Sequence, residues 1–343
     1  MDKEQVVNKI MDELNKYEDI DDKLDALPEL LIEYVDHPNY KEIFIEIYDL
    51  LEVDAHFNNH DIDPRLSEFI KTLESTNELI LTEQYDKAIE ILLKETDYVN
   101  ELMSYNDIEE EKFEIGCFFN EIEKQLFFYL ESDPNKDIHL LSPYAGEYYS
   151  RLALVYHNSI QYDKASECYK TILKYNPCSN QALLGMAYIA YHQENYLTAI
   201  EYVKEFSKYA FSSEMIFEAY QILTNIYIQY GKYDYAAICA FLGSSFALEE
   251  ENMHQLLSIY EKYRKEILIN FDDDSEVDNF LSKEDLIYMP NDRVMDVLYT
   301  MLEEFKDNPS RKEDFIDLAE IILSIVDDEE VEKEYNELLK EYN

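Results

Sequence analysis

A five-residue pattern recurs four times along this chain, as Gln84-Tyr85-Asp86-Lys87-Ala88, Gln161-Tyr162-Asp163-Lys164-Ala165, Asn195-Tyr196-Leu197-Thr198-Ala199 and Lys232-Tyr233-Asp234-Tyr235-Ala236. Between their alanines the last three copies lie 34 and 37 residues apart, and the first stands upstream and out of phase. A period of that size means that each unit is one supersecondary element, able to hide its apolar face only by stacking on the next. Apolar residues at helical spacing precede and follow each copy, so each unit reads as two antiparallel helices with the Tyr opening the second. In the unit around Ala165, the face Tyr149, Leu152, Ala153 and Tyr156 is expected to meet Ala165, Tyr169 and Ile172. The alanine permits close approach of the two helices, and Asn176-Pro177 stops the second one.

Charge narrows the function. The 343 residues carry 76 acidic and 29 basic side chains, a net charge of -47. Binding a nucleic acid depends on Lys and Arg displacing counterions, so such a partner is excluded, and anionic membrane surfaces are disfavoured for the same reason. Five glycines never fall at the spacing of a phosphate-binding loop, a dinucleotide fingerprint or a nucleophile elbow. With 47% hydrophobic residues the chain is no disordered acidic tail. Residues 1–140 carry -26 and 249–343 carry -19, whereas 141–248 carry only -2 and hold 17 of the 31 tyrosines. The acidity therefore sits in the flanks of a nearly neutral repeat core. Acids at the N-terminus argue against an export signal, and the longest stretch free of charged residues within the repeats, 175–193, is too polar to span a bilayer. A cytoplasmic location is expected. Cys117, Cys168, Cys178 and Cys239 lack metal-ligand spacing and read as buried thiols.

The chain resembles the tetratricopeptide repeat family. Residues 146–179 match its pattern with Tyr149, Leu152, Ala153, Tyr156, Ala165, Tyr169 and Pro177. Residues 180–213 match with Leu183, Met186, Ala187 and Ala199, but have Val203 and Phe211 at departing places. Residues 217–250 match with Tyr220, Leu223, Tyr227, Gly231 and Ala236, and depart at Thr224, Ala240 and Leu248. The resemblance covers about a third of the chain and weakens over 69–102. It implies an all-α, right-handed superhelical solenoid whose concave groove is lined by fixed places of each first helix. Carried over, those places are Glu147, Ser150, Leu154, His157 and Asn158, then Gln181, Leu184, Tyr188, Tyr191 and His192, then Glu218, Gln221, Asn225, Ile228 and Gln229, with Arg151 beside the first set. Only two of these fifteen places are charged. A wall of amides, imidazoles and tyrosine rings suits an extended peptide or a helix. It does not supply the several cations that a clamp on an acidic C-terminus needs.

Four regions are expected: acidic N-terminal helices over 1–68, a divergent repeat and connecting helix over 69–142, three repeats over 143–250 and acidic capping helices over 251–343. Helices are predicted near 2–16, 28–36, 39–53, 64–80, 84–101, 107–131 and 252–268. Further ones are a short helix from the Ser282-Lys283-Glu284-Asp285 box, 291–306, 311–326 capped by Ser310, and 328–342. Asn270 to Leu281, with Asp272-Asp273-Asp274, reads as a linker. It is no calcium loop, because Gly is missing from its sixth place and Lys283 stands where Glu is required.

His56 and His60 would share a helix face as metal ligands, but Asn58-Asn59 and Asp63-Pro64 read as loop. No Ser, Cys and His set stands at a catalytic spacing. The expected function is thus a non-catalytic adaptor, without cofactor, whose partner is a protein or peptide, a basic one being drawn in by the acidic flanks. The alternatives are a peptide-sensing regulator acting on another protein and, further off, a metal protein or hydrolase.

Overall fold

The computed structural model describes residues 3–17, 64–104, 112–246, 261–268, 274–306, 308 and 311–342, with the isolated positions Lys23, Leu30, Tyr34, Ile43 and Ile47. The helices expected at 28–36 and 39–53, most of 252–268, Ser310 and the His56/His60 pair lie outside these residues. Contacts divide the chain into two compact units, Met1–Thr72 and Leu73–Asn343. In the first, α1 (Lys3–Leu14) buries Val6, Val7, Ile10 and Leu14 against Ile43 and Ile47. Helix α2 (Pro64–Leu81) matches its expected span.

The second unit is mostly helical, built from consecutive helix pairs. After α3 (Tyr85–Leu93) and α4 (Thr96–Leu102), the pairs are α6/α7 (Pro143–Asn158, Tyr162–Tyr175), α8/α9 (Asn180–His192, Tyr196–Ser207) and α10/α11 (Ser213–Gln229, Tyr233–Ser244). Each pair packs on the next, and α3 and α4 pack on α6. The expected 84–101 helix is broken at Lys94-Glu95. All four signature alanines, Ala88, Ala165, Ala199 and Ala236, are buried at 1% exposure or less.

All four recurring segments share one turn. In the turn between α6 and α7, the Gln161 N–H donates to the Tyr156 carbonyl at 2.8 Å and the Ile160 N–H to that of His157 at 2.9 Å, with Ile160 at φ 60°. The same two bonds close the chain at Glu194-Asn195 (φ 58°), Gly231-Lys232 (φ 67°) and upstream at Glu83-Gln84 (φ 56°). This is the Schellman arrangement, which satisfies the last carbonyls of a helix through one left-handed residue. The upstream copy is out of phase in sequence and identical in turn geometry. Between α7 and α8 the packing is close enough that a Cβ on Gly185 would run into the ring of Tyr169.

An insertion departs from the expected all-α class and from the helix predicted over 107–131. Strand β1 (Phe113–Gly116) pairs in parallel with β2 (Asp137–Leu140), Phe113 against Asp137 through Gly116 against Leu140. Only α5 (Glu121–Leu126), capped by the Asn120 side chain and continued by a π-turn over Phe127–Glu131, is helical there. Phe113, Ile115 and the glycine at 116 favour extended chain over helix, and Asn120 starts the helix late.

The C-terminal helices α12 (Asp274–Glu284), α13 (Asp292–Lys306), α14 (Lys312–Leu323) and α15 (Glu329–Tyr342) share one core with the repeats and with α5, running from Phe118 to Val331. Thus α12 replaces the expected linker, and the Ser282 box ends a helix instead of starting one. Val277, Phe280 and Leu281 give the segment a buried face at helical spacing, and Asp285 at φ 55° closes it. Helix α13 packs on α5, and the Asn291 side chain donates to the carbonyls of Lys208 at 2.7 Å and Ser207 at 3.2 Å.

Candidate partner-binding face

The first helices of the three pairs, α6, α8 and α10, lie side by side, and the expected groove places meet across them. Ser150 Oγ donates to Gln181 Oε1. His157 reaches Tyr188 with ring centroids 4.7 Å apart, and Tyr188 reaches His192 at 4.2 Å. From there the rings continue through Tyr191 (5.2 Å), Tyr196 (6.0 Å) and Tyr230 (5.7 Å), with Tyr162 beside both imidazoles at 5.7 and 6.0 Å. The tilted and edge contacts in this ladder are those aromatic quadrupoles prefer. Tyr188 stays 38% exposed and His192 is exposed as well, so the ladder presents ring faces to solvent.

Burial, with a smaller contribution from His192, holds the His157 imidazole below its ordinary value and keeps it neutral near pH 7. Burial also raises the Tyr188 hydroxyl, aided by Tyr162, by the Glu218 carboxylate and by Tyr191. Glu218 is itself raised, by desolvation first and by Glu214 second.

Asn158, Asn225 and Gln229 are exposed, and Leu154, His157, Gln181, Tyr191, Gln221 and Ile228 are half-buried. Two residues differ from expectation. Leu184 is 6% exposed and belongs to the core, because α8 is flanked by neighbours on both sides and has little free face. Arg151 is committed within the chain: its guanidinium donates to Glu147 and to Asn77. It therefore offers no fork to a ligand. Tyr162, Tyr196 and Tyr230, which sequence placed at turns, join the ladder.

Sequence reasoning also missed a buried polar clasp at the opposite edge of the pairs. Glu123 on α5, 3% exposed, accepts from Asn176 Nδ2 at 2.6 Å and from the Asn180 N–H at 2.8 Å. Asn180 in turn donates to the Tyr209 carbonyl at 2.9 Å and accepts from the Phe211 N–H at 3.3 Å. Burial pushes the Glu123 carboxyl up to about 7 against the pull of these donors. Asn176 Oδ1 and Ser179 Oγ are buried without a hydrogen-bond partner. One acid among 76 leaves no mark in the sequence that distinguishes it.

All four cysteines are buried thiols, burial raising Cys117 to about 11 and Cys168 to about 12. Among the described residues no group of His, Cys, Asp and Glu could hold a metal ion, and no helix is long and apolar enough to cross a membrane. Beside Tyr162 lies a shallow depression of about 330 Å³ bounded by Ile160, Gln161, Asp163, Lys164 and Gln193. No family model matches the chain, and neither the curated proteins nor the solved structures include a significantly similar one.

Proposed function

We propose that the chain is a non-catalytic cytoplasmic scaffold of the tetratricopeptide type, its helix pairs winding into a right-handed solenoid that holds a peptide or helical segment of a partner protein in the concave groove. The observation that carries this reading is the ring ladder from His157 through Tyr188 and His192 to Tyr230, half-buried and open on one side. Rings of this kind give large contact area at low conformational cost, which is why Tyr is enriched at binding surfaces. The shared turns and buried alanines support the repeat assignment, and four buried thiols suit a reducing compartment.

The test is comparative capture from the source cells on immobilised full chain and on Tyr188→Ala plus His192→Ala, both surface positions. The reading expects partners retained by the native chain and lost by the variant. An unchanged set of retained proteins would refute it.

A further inference from the structure

The faces of α6, α8 and α10 have an uneven charge balance. Together these helices carry three acids, Glu147, Glu214 and Glu218, and one permanent cation, Arg151. Arg151 and Glu147 pair with each other, which leaves Glu214 and Glu218 uncompensated. No ion pair involves either of them among the described residues, and each feels the other's charge. Glu218 also lies close enough to Tyr188 to act on its hydroxyl, and Tyr188 presents an exposed ring between two imidazoles, of which His157 is neutral.

An exposed tyrosine ring face beside a carboxylate without a cation is the chemistry that receives an ammonium or guanidinium group. The ring quadrupole attracts the cation, and the carboxylate takes a charge-assisted hydrogen bond from it. A carboxylate ligand would meet the opposite: no free guanidinium on this face and repulsion from two glutamates. Long-range attraction has the same sign, because the flanks outside 141–248 hold nearly all of the net -47.

From this juxtaposition we infer that the groove is selective for a Lys- or Arg-bearing polypeptide segment, with a cationic side chain seated on the Tyr188 ring and paired with Glu218. The inference rests on the groove reading above and adds the ligand's charge to it.

The probe is a random 12-residue peptide display library selected on the immobilised full chain, the recovered sequences being retitrated on the native chain, Tyr188→Ala and Glu218→Gln. Both positions are on the surface, and far-UV circular dichroism verifies that each variant is folded. The expected result is a pool enriched in Lys and Arg whose peptides weaken roughly tenfold on Tyr188→Ala and several-fold on Glu218→Gln, within the range of a cation–ring contact. Three results decide against it. A pool of uncharged peptides that is lost on Tyr188→Ala keeps the groove and overturns its selectivity for cations. Basic peptides that bind all three proteins alike show diffuse attraction by the flanks and overturn both. A pool unchanged from the input also overturns both.

Discussion

Replacing Glu123 by glutamine separates the shape of the buried clasp from its charge. The carboxyl lies 3% exposed between Asn176 and Asn180 and is displaced from 4.5 to about 7, mainly by burial. A carboxyl whose value is raised on folding contributes stability that is fully present below its unfolded value and lost as pH rises through its folded one. Glu123 therefore favours the folded state below about pH 4.5 and withdraws that support up to about pH 7 and beyond. At 1.36 kcal/mol per pH unit the displacement amounts to about 3 kcal/mol. Glutamine keeps an acceptor oxygen, carries no charge, and brings an NH2 group to a cavity where Asn176 Oδ1 and Ser179 Oγ lack donors. Urea denaturation of both proteins, at intervals from pH 5 to 8.5, gives the stability difference, in which the other acids largely cancel. Glu123→Gln should gain on the native chain as pH rises, by about 2 to 3 kcal/mol over that range. A difference that stays flat from pH 5 to 8.5 would refute the reasoning, because it would mean that the Asn176 and Asn180 donors keep Glu123 ionised throughout.

Other perturbations test the turns and the packing. Gly231→Ala should lower stability by about 1 kcal/mol, since nothing lies within 4 Å of the added Cβ and only the left-handed backbone resists it. Ile160→Gly should act in the opposite direction by about 0.5 kcal/mol, because it relieves a β-branched residue at φ 60° and sacrifices little burial from a side chain that is 72% exposed. Equal signs in thermal melts of the two variants would disprove this account. Gly185→Ala should cost about 1 to 3 kcal/mol by forcing Tyr169 from its place, read as a lower urea midpoint with an unchanged slope. Asn291→Ala should lose about 1 to 2 kcal/mol, as it removes the cap on Val294 and the bonds to Ser207 and Lys208; a melt within error of the native chain would count against that role.

What was legible in the sequence follows from the range of the forces involved. The helix pairs and their buried alanines are local, set by 3.6-residue periodicity and a short turn, and they could be read residue by residue. The turn at Glu83-Gln84 could be read as a copy of the pattern, but its identity of geometry could not, because a left-handed residue that is not glycine carries no signal. The insertion failed for the opposite reason: β1 and β2 pair across 20 intervening residues, so neither strand's own sequence names its partner, and four-residue strands barely register as alternation. Segment 274–284 was misread because its acids suggested a solvated linker, while Val277, Phe280 and Leu281 formed a buried face. On the candidate face, the ring positions His157, Tyr188, Tyr191 and His192 come together as their spacing implied. Leu184 and Arg151 do not serve it, since a neighbouring helix and the Asn77 amide had already claimed them.

The contact between α5 and α13 changes how the array can come apart. In an open stack of repeats each unit touches only its neighbours, and the ends peel away one unit at a time. Here an element that precedes the repeats meets one that follows them, and Asn291 fastens the later segment to the end of α9. Unravelling from the C-terminal side therefore exposes the insertion as well, so the last unit cannot fray without loosening the region before the first. Cooperativity comes from that closure, and so does a kinetic cost: residues near 121 and 298 must find one another across all three pairs before the core from Phe118 to Val331 is complete.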